Sequence, residues 1–292
     1  MRDFRPRTAI ITGGASGIGR ALAASLVTRG TYAVLADRDQ AAAERAAAEL
    51  SAGAPGRAVA AVLDVTHAGA LRQLVESVAA ERGRLDLMVN NAGVLFAGAF
   101  EETTDRHWEV AIDVNLRGVV EGARAAYGVM LGQRTGRERA GVILNTASLA
   151  GLIPAPRMTP YATTKWAVVG FSQALRAEAA RNGIQVNVLC PAYVDTKLID
   201  EVFEPGATYA VGSFRANTRL LQPRLLTPED VAAAALRGIE LDRAVIPVGG
   251  FAHLSWRTQR FVPAVMRGST RLQAAREARQ SERVARLSAG GG

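Results

Sequence analysis

The feature that most constrains this chain is a repeated alternation between short apolar runs and longer segments of helical periodicity. Thr8–Thr12 is followed by Gly17–Arg29, Tyr32–Ala36 by Gln40–Ala52, Ala58–Asp64 by Ala68–Arg82, and Leu85–Asn90 by Asp105–Leu131. Gly141–Ser148 then precedes Pro160–Asn182, and Ile184–Cys190 follows. The short runs are apolar along their whole length instead of alternating with polar residues, the pattern of parallel strands covered on both faces. Such an order predicts an α/β fold: a doubly wound parallel sheet with helices on both faces. A chain of 292 residues, 49% of them hydrophobic, suits one large domain better than two small ones.

Beyond Cys190 the regularity breaks. Residues 198–226 carry turn formers and scattered Phe203, Tyr209, Phe214, Leu220 and Leu221, as expected of a lid over a binding site. Thr227-Pro-Glu-Asp230 reads as a helix start, and Ala244–Val248 as a last strand. The main body is therefore expected to span 1–250, lid included, with 251–292 as a C-terminal extension. The first strand begins close to Met1, leaving no room for a leader, and no apolar run is long enough to span a bilayer. Cys190 is the sole cysteine, which excludes disulfide frameworks and fits a cytoplasmic protein.

The net charge of +8 does not imply a nucleic-acid partner, because it is unevenly placed. Residues 243–292 hold nine arginines and two glutamates, leaving a net charge of +1 for residues 1–242. His67, His107 and His253 follow no metal-ligand spacing, so no metal site is expected.

Thr12-Gly-Gly-Ala-Ser-Gly-Ile-Gly19 sits between the first strand and the first helix, where glycines admit a pyrophosphate to the backbone and the helix N-terminus favours its charge. Gly13, Ser16, Gly17, Ile18 and Gly19 are the candidate phosphate contacts. Asp37 closes the second strand, where a carboxylate hydrogen-bonds an adenosine ribose and repels a 2′-phosphate. NAD is therefore favoured over NADP, although Arg38 pulls the other way. Asp64 and Val65 follow the third strand, and Asn90, Asn91, Ala92 and Gly93 end the fourth.

Tyr161 and Lys165 lie one helical turn apart, and Lys165 is one of two lysines among 35 basic residues. In a chain that writes almost every cation as arginine, an ammonium here is notable: unlike a guanidinium, it is a compact point charge able to lower a neighbouring phenol's pKa. A phenol so tuned is a general acid and base.

Together these motifs resemble the short-chain dehydrogenase/reductase family. The resemblance rests on the TGGASGIG turn, Asp64, Asn-Asn-Ala-Gly93, Asn115, Ser148, Tyr161-Ala-Thr-Thr-Lys165 and Pro191-Ala-Tyr-Val-Asp-Thr196, in order over residues 8–250. It implies a Rossmann-like domain in which Tyr161 exchanges a proton with the substrate oxygen and Ser148 hydrogen-bonds it. Lys165 would lower the tyrosine pKa and hold the nicotinamide ribose, and Asn115 would anchor a proton relay behind Lys165. Pro191, Val194 and Thr196 would contact the cofactor, with Ala192 standing where the family commonly has glycine. A homodimer or homotetramer is implied, with the helices 105–131 and 160–182 as interfaces.

Val94-Leu-Phe96, Leu149–Met158, Tyr193 and the lid with Phe203 are apolar, which suits a lipophilic secondary alcohol or ketone, steroid-like or lipid-like. Leu149, Ile153, Tyr193 and Phe203 are the candidate substrate contacts. An NADPH-dependent carbonyl reductase is one alternative; a catalytically silent dinucleotide-binding regulator is another. The extension mixes apolar residues with arginines from Phe251 onward. It is expected to pack over a subunit interface or the pocket rim, with weak membrane-surface contact as the other reading.

Overall fold

The apolar runs become seven strands in the computed structural model, which describes residues 4–133, 139–200, 218–219 and 221–289. The strands are β1 Thr8–Thr12, β2 Tyr32–Asp37, β3 Arg57–Val62, β4 Leu87–Asn90, β5 Gly141–Thr146, β6 Ile184–Pro191 and β7 Val245–Val248. They form one parallel sheet in the order β3-β2-β1-β4-β5-β6-β7. The helices are α1 Gly17–Val27, α2 Gln40–Ser51, α3 Ala70–Arg82, α4 Asp105–Ile112, α5 Gly118–Gly132, α6 Thr159–Ala179 and α7 Lys197–Asp200. α8 Pro228–Glu240, α9 Gly250–Phe261 and α10 Pro263–Ala289 complete the described elements.

Successive strand residues point to opposite faces, which explains why the strands are apolar throughout. Ile11, Leu35, Val89 and Leu144 enter one layer with Leu22 and Leu26 of α1 and Leu236 and Ile239 of α8. Ile10, Val34, Met88 and Ile143 enter the other, with Leu71 and Val75 of α3 and Met130 of α5. Strand order reverses at the β1/β4 pair, so the connections leaving these two strands diverge and open a crevice at the carboxyl edge of the sheet.

The expected helix start at Thr227 is a full capping box: Asp230 N–H donates to Thr227 Oγ1 at 3.1 Å, and Thr227 N–H donates to the Asp230 carboxylate at 3.1 Å. Among the differences from the sequence reading, three bear on the site. The third strand stops at Val62, because Asp64 turns to accept hydrogen bonds from Thr66. The fifth stops at Thr146, because Ser148 caps a short 3₁₀ turn, Leu149–Gly151, by accepting from Ala150 N–H.

The third difference is the expected single helix 105–131, which is divided by a π-helical turn at Asp113–Arg117. A π turn widens the helix by a residue and is often found at functional sites. Here it carries Asn115. Of the lid, Phe203, Tyr209, Phe214 and Leu220 lie outside the described residues; Leu221 and Gln222 lie within them.

Candidate active site

One cavity of about 660 Å³ runs along the carboxyl edge of the sheet. Its first half is built from the glycine turn. Gly13 adopts φ +62° and Gly17 φ +50°, left-handed values that favour glycine. A Cβ on Gly19 would sit 2.1 Å from the Gly13 carbonyl oxygen, so this glycine closes the turn by tight packing and does not line the cavity. The Ser16 side chain makes no cap hydrogen bond to α1, so the first-turn N–H groups beside the cavity receive no side-chain acceptor from it.

The turn is held from β4. Thr12 Oγ1 accepts from Asn91 N–H at 2.9 Å and Ala92 N–H at 3.0 Å, while Asn91 Nδ2 donates to the Thr12 carbonyl at 3.1 Å. Thr146 Oγ1 donates to Asn91 Oδ1 at 3.3 Å, so Asn91 ties together the ends of β1, β4 and β5. At the end of β2, Asp37 accepts from Ala15 N–H at 3.1 Å and Asp39 N–H at 3.2 Å. These bonds fix its carboxylate at the cavity wall, with Arg38 beside it. Asp64 and Val65 also line the wall. The hydrogen bond from Thr66 N–H holds the Asp64 carboxyl below its ordinary pKa, against a smaller opposing effect of burial.

Positive-φ glycines, an uncapped helix N-terminus and a fixed carboxylate at the end of β2 fit a dinucleotide: the first two accept phosphates and the third a ribose. Thr196 supports the same half, because a Cβ on Gly17 would lie 3.2 Å from its Cγ2. Pro191 and Val194 line the cavity between the halves.

The second half gathers Ser148, Tyr161 and Lys165. Tyr161 and Lys165 project from α6, and both are buried. Ser148 lines the cavity beside Tyr161, and its hydroxyl favours the phenolate form. Lys165 Nζ donates to the Thr146 carbonyl at 3.1 Å and lies 5.5 Å from the centre of the Tyr161 ring. Burial lowers the Lys165 pKa to about 8, partly offset by the nearby Cys190. Burial also pushes the Tyr161 phenol above its ordinary value, with the Ser148 hydrogen bond acting in the opposite direction. Desolvation is the largest of the effects on this phenol, and Lys165, 5.5 Å from the ring centre, is not among them.

Asn115 lies behind this group, fully buried, and does not line the cavity. Its Oδ1 accepts from Val94 N–H at 2.9 Å, and its Nδ2 donates to the Val94 carbonyl at 3.0 Å and to Thr164 Oγ1 at 3.3 Å. A Cβ on Gly93 would crowd Asn115 Oδ1 at 3.1 Å and meet Lys165 Nζ in ordinary contact at 3.6 Å, so this glycine lies close against both side chains.

Leu149, Ile153 and Tyr193 line the apolar end of the cavity, whereas Phe203 lies outside the described residues. Phe96 does not face it: the ring is buried against His107 at a centroid distance of 4.3 Å. Several contributors had no motif to announce them. Gln222 exchanges two hydrogen bonds with the Tyr193 backbone, at 3.2 and 2.8 Å. Phe251 of α9 stacks on Tyr193 at 6.4 Å, and Arg106 of α4 and Gln273 of α10 reach the rim. Only the expectation that the extension packs at the pocket rim hinted at the last of these.

The fold and this cavity define a doubly wound α/β protein with a built site at the strand ends. The sequence profile of the short chain dehydrogenase family matches residues 7–206, and the chain belongs to that family. It is 34% identical over 268 residues to a probable oxidoreductase, EphD, of Mycobacterium tuberculosis, covering 90% of this chain and 44% of the relative. The chain thus spans less than half the length of this mycobacterial relative. It is also 34% identical over 230 residues to BbsD of Thauera aromatica, a (2S)-[(R)-hydroxy(phenyl)methyl]succinyl-CoA dehydrogenase subunit, covering 79% and 88% of the two chains. A crystal structure of a short chain dehydrogenase/reductase from Burkholderia phymatum in complex with NAD superposes with a TM-score of 0.78 at 30% identity, covering 89% of this chain and 95% of the other. Among the described residues no helix is long and apolar enough to cross a membrane.

Proposed function

We propose that this chain is an NAD-dependent oxidoreductase that interconverts a lipophilic secondary alcohol and its ketone, with Tyr161 as the acid and base. The observation that carries this reading is the gathering of Ser148, Tyr161 and Lys165 in the same cavity as the glycine turn and Asp37. A nicotinamide cofactor held by the glycine turn and Asp37 would supply the hydride chemistry at the carbinol carbon. The protein's part is orientation and proton transfer.

Ser148 and Tyr161 hold the substrate oxygen between two hydroxyls. In the oxidative direction Tyr161 must take the alcohol proton, which requires its phenolate; burial disfavours that form, and Ser148 favours it by hydrogen bonding. Lys165, anchored on the Thr146 carbonyl, brings a positive charge that favours a phenolate, and with a nicotinamide cofactor bound it would hold the ribose. Asn115 acts as a positioning residue, fixing Val94 and Thr164 around this group.

Asp37 supports NAD: its carboxylate accepts ribose hydroxyls and repels a 2′-phosphate. Arg38 lines the same wall, which keeps an NADPH-dependent ketone reductase as the second reading. The apolar lining at Leu149, Ile153 and Tyr193 supports a lipophilic substrate. The name of the Thauera relative, with a hydroxyl next to a phenyl ring, agrees with a bulky secondary alcohol. A homodimer or homotetramer formed through α5 and α6 is part of this reading, supported by the exposed Trp166 and Leu131 on these helices.

The test is the formation of reduced nicotinamide from NAD or NADP with a panel of steroid and aromatic secondary alcohols, wild type against Tyr161→Phe. Activity with NAD that vanishes in the variant sustains the reading. Preference for NADP moves it to the reductase, and silence in both directions despite cofactor binding leaves a regulator.

A further inference from the structure

Ten large apolar side chains are exposed among the described residues, and five of them fall within residues 254–272: Leu254, Phe261, Val262, Val265 and Leu272. Of the other five, Leu131 and Trp166 lie on the proposed subunit interface of α5 and α6, and Val62, Phe100 and Leu241 stand singly over the body of the protein, where exposed apolar residues are ordinary. The concentration therefore needs a partner.

Helical geometry sorts these residues. Ala252 and Ser255 bury one face of α9 against the sheet cluster that includes Val188 and Cys190. Leu254 and Phe261, seven residues apart, share the opposite face and are 68% and 75% exposed. Pro263 starts α10, whose inner side carries the buried Met266 and the pocket-lining Gln273. Val265 and Leu272, again seven apart, stand on its outer side at 58% and 64% exposure. Each helix thus has a packed face toward the protein and an apolar stripe facing away from it.

Charge identifies the partner. Between residues 250 and 279 there are six arginines, one glutamate, and no lysine or aspartate. Among the described residues none of the six arginines is ion-paired, and Glu277 receives a hydrogen bond from Gln273. On the helical projection Arg257 flanks the Leu254–Phe261 stripe, and Arg276 and Arg279 continue the line of Val265 and Leu272. Apolar side chains edged by unpaired guanidiniums match the boundary layer of an anionic bilayer, where acyl chains take the apolar part and phosphates the charge. A second copy of this chain would bring the same charge onto itself.

We propose that α9 and α10 form an interfacial docking surface for anionic phospholipid membranes. The helices lie in the plane of the headgroups and do not cross, in keeping with their low apolar content. Because Phe251 and Gln273 of these helices line the cavity rim, docking brings the site close to the lipid. That last consequence rests on the proposed lipophilic substrate; the docking itself does not.

Flotation of the full chain with vesicles of equimolar phosphatidylglycerol and phosphatidylcholine tests it without reading activity. The wild type is expected to float at low salt, to float far less with phosphatidylcholine alone, and to lose binding about fivefold for each of Arg257, Arg276 or Arg279 changed to glutamine. The double variant Phe261→Asp with Leu272→Asp, at exposed positions where folding is not at stake, should stay in the soluble fraction while keeping its circular dichroism and sedimentation coefficient. Failure of the wild type to float overturns the proposal. So does floating of the double variant at wild-type level, which would mean charge alone suffices for any polyanion, and so does a fall of that variant to a smaller oligomer, which would assign the face to a second copy.

Discussion

The two halves of the cavity are built by different means. The glycine-turn half is local: Gly13 to Gly19, Asp37 and Asn91 lie within a few residues of strand ends and are fixed by hydrogen bonds to backbone. The substrate half draws Tyr193, Phe251, Leu221 and Gln273 from elements far apart in the chain and joins them by packing. Backbone hydrogen bonds are directional and leave few acceptable residues at each position, whereas apolar packing accepts many. The first half can therefore preserve a recognisable motif while the second varies with the ligand.

The sharpest test of this contrast removes one atom. Tyr161→Phe leaves the apolar ring in place and should lower kcat by about 10² to 10⁴-fold in steady-state assays. A smaller loss would move the proton transfer elsewhere.

Next in size is the pH dependence of stability through Lys165. Its folded pKa of about 8 lies below its unfolded value, so the unfolded chain holds the proton more tightly. Burying the ammonium thus costs stability in full below pH ~8, and the cost fades as pH rises from there toward ~10.5. Compared with Lys165→Met, the wild type should gain up to about 3 kcal/mol across that window in denaturant titrations. Parallel curves for the two proteins would refute the buried-ammonium account.

Asp37→Ala acts on the local half and should raise the NAD dissociation constant about ten- to a hundredfold, the scale of a hydrogen bond to a charged group. Binding of NADP should weaken less or improve, and titration calorimetry with both cofactors reads the difference. The mildest effect belongs to the packed half. Phe251→Ala should raise KM for a bulky alcohol less than about tenfold and leave kcat and NAD affinity near wild type, since it removes part of a rim contact. If kcat fell as much as KM rose, the two halves would not be separable.

The same contrast explains what could be read in advance. All seven strands and the glycine turn were legible because period and punctuation are local properties. The boundaries after Val62 and Thr146 were not, because Asp64 and Ser148 leave the ladder for hydrogen bonds made by their own side chains. The π turn at Asp113–Arg117 breaks no sequence rule, and only the paired bonds from Asn115 to Val94 account for its place. Phe96 looked like a pocket residue until its ring packed on His107.

By itself, then, the sequence determined the sheet, the glycine turn after β1 with an aspartate at the end of β2, and the presence of a serine, a tyrosine and a lysine at strand and helix ends, since each follows from local backbone preference and spacing. Tertiary structure decided that Lys165 is buried on the Thr146 carbonyl, that Asn115 grips Val94, and that a helix from the far end of the chain lends Gln273 to the rim. Those facts depend on which surfaces meet, and that is settled by the packing of the whole chain and not by any one segment.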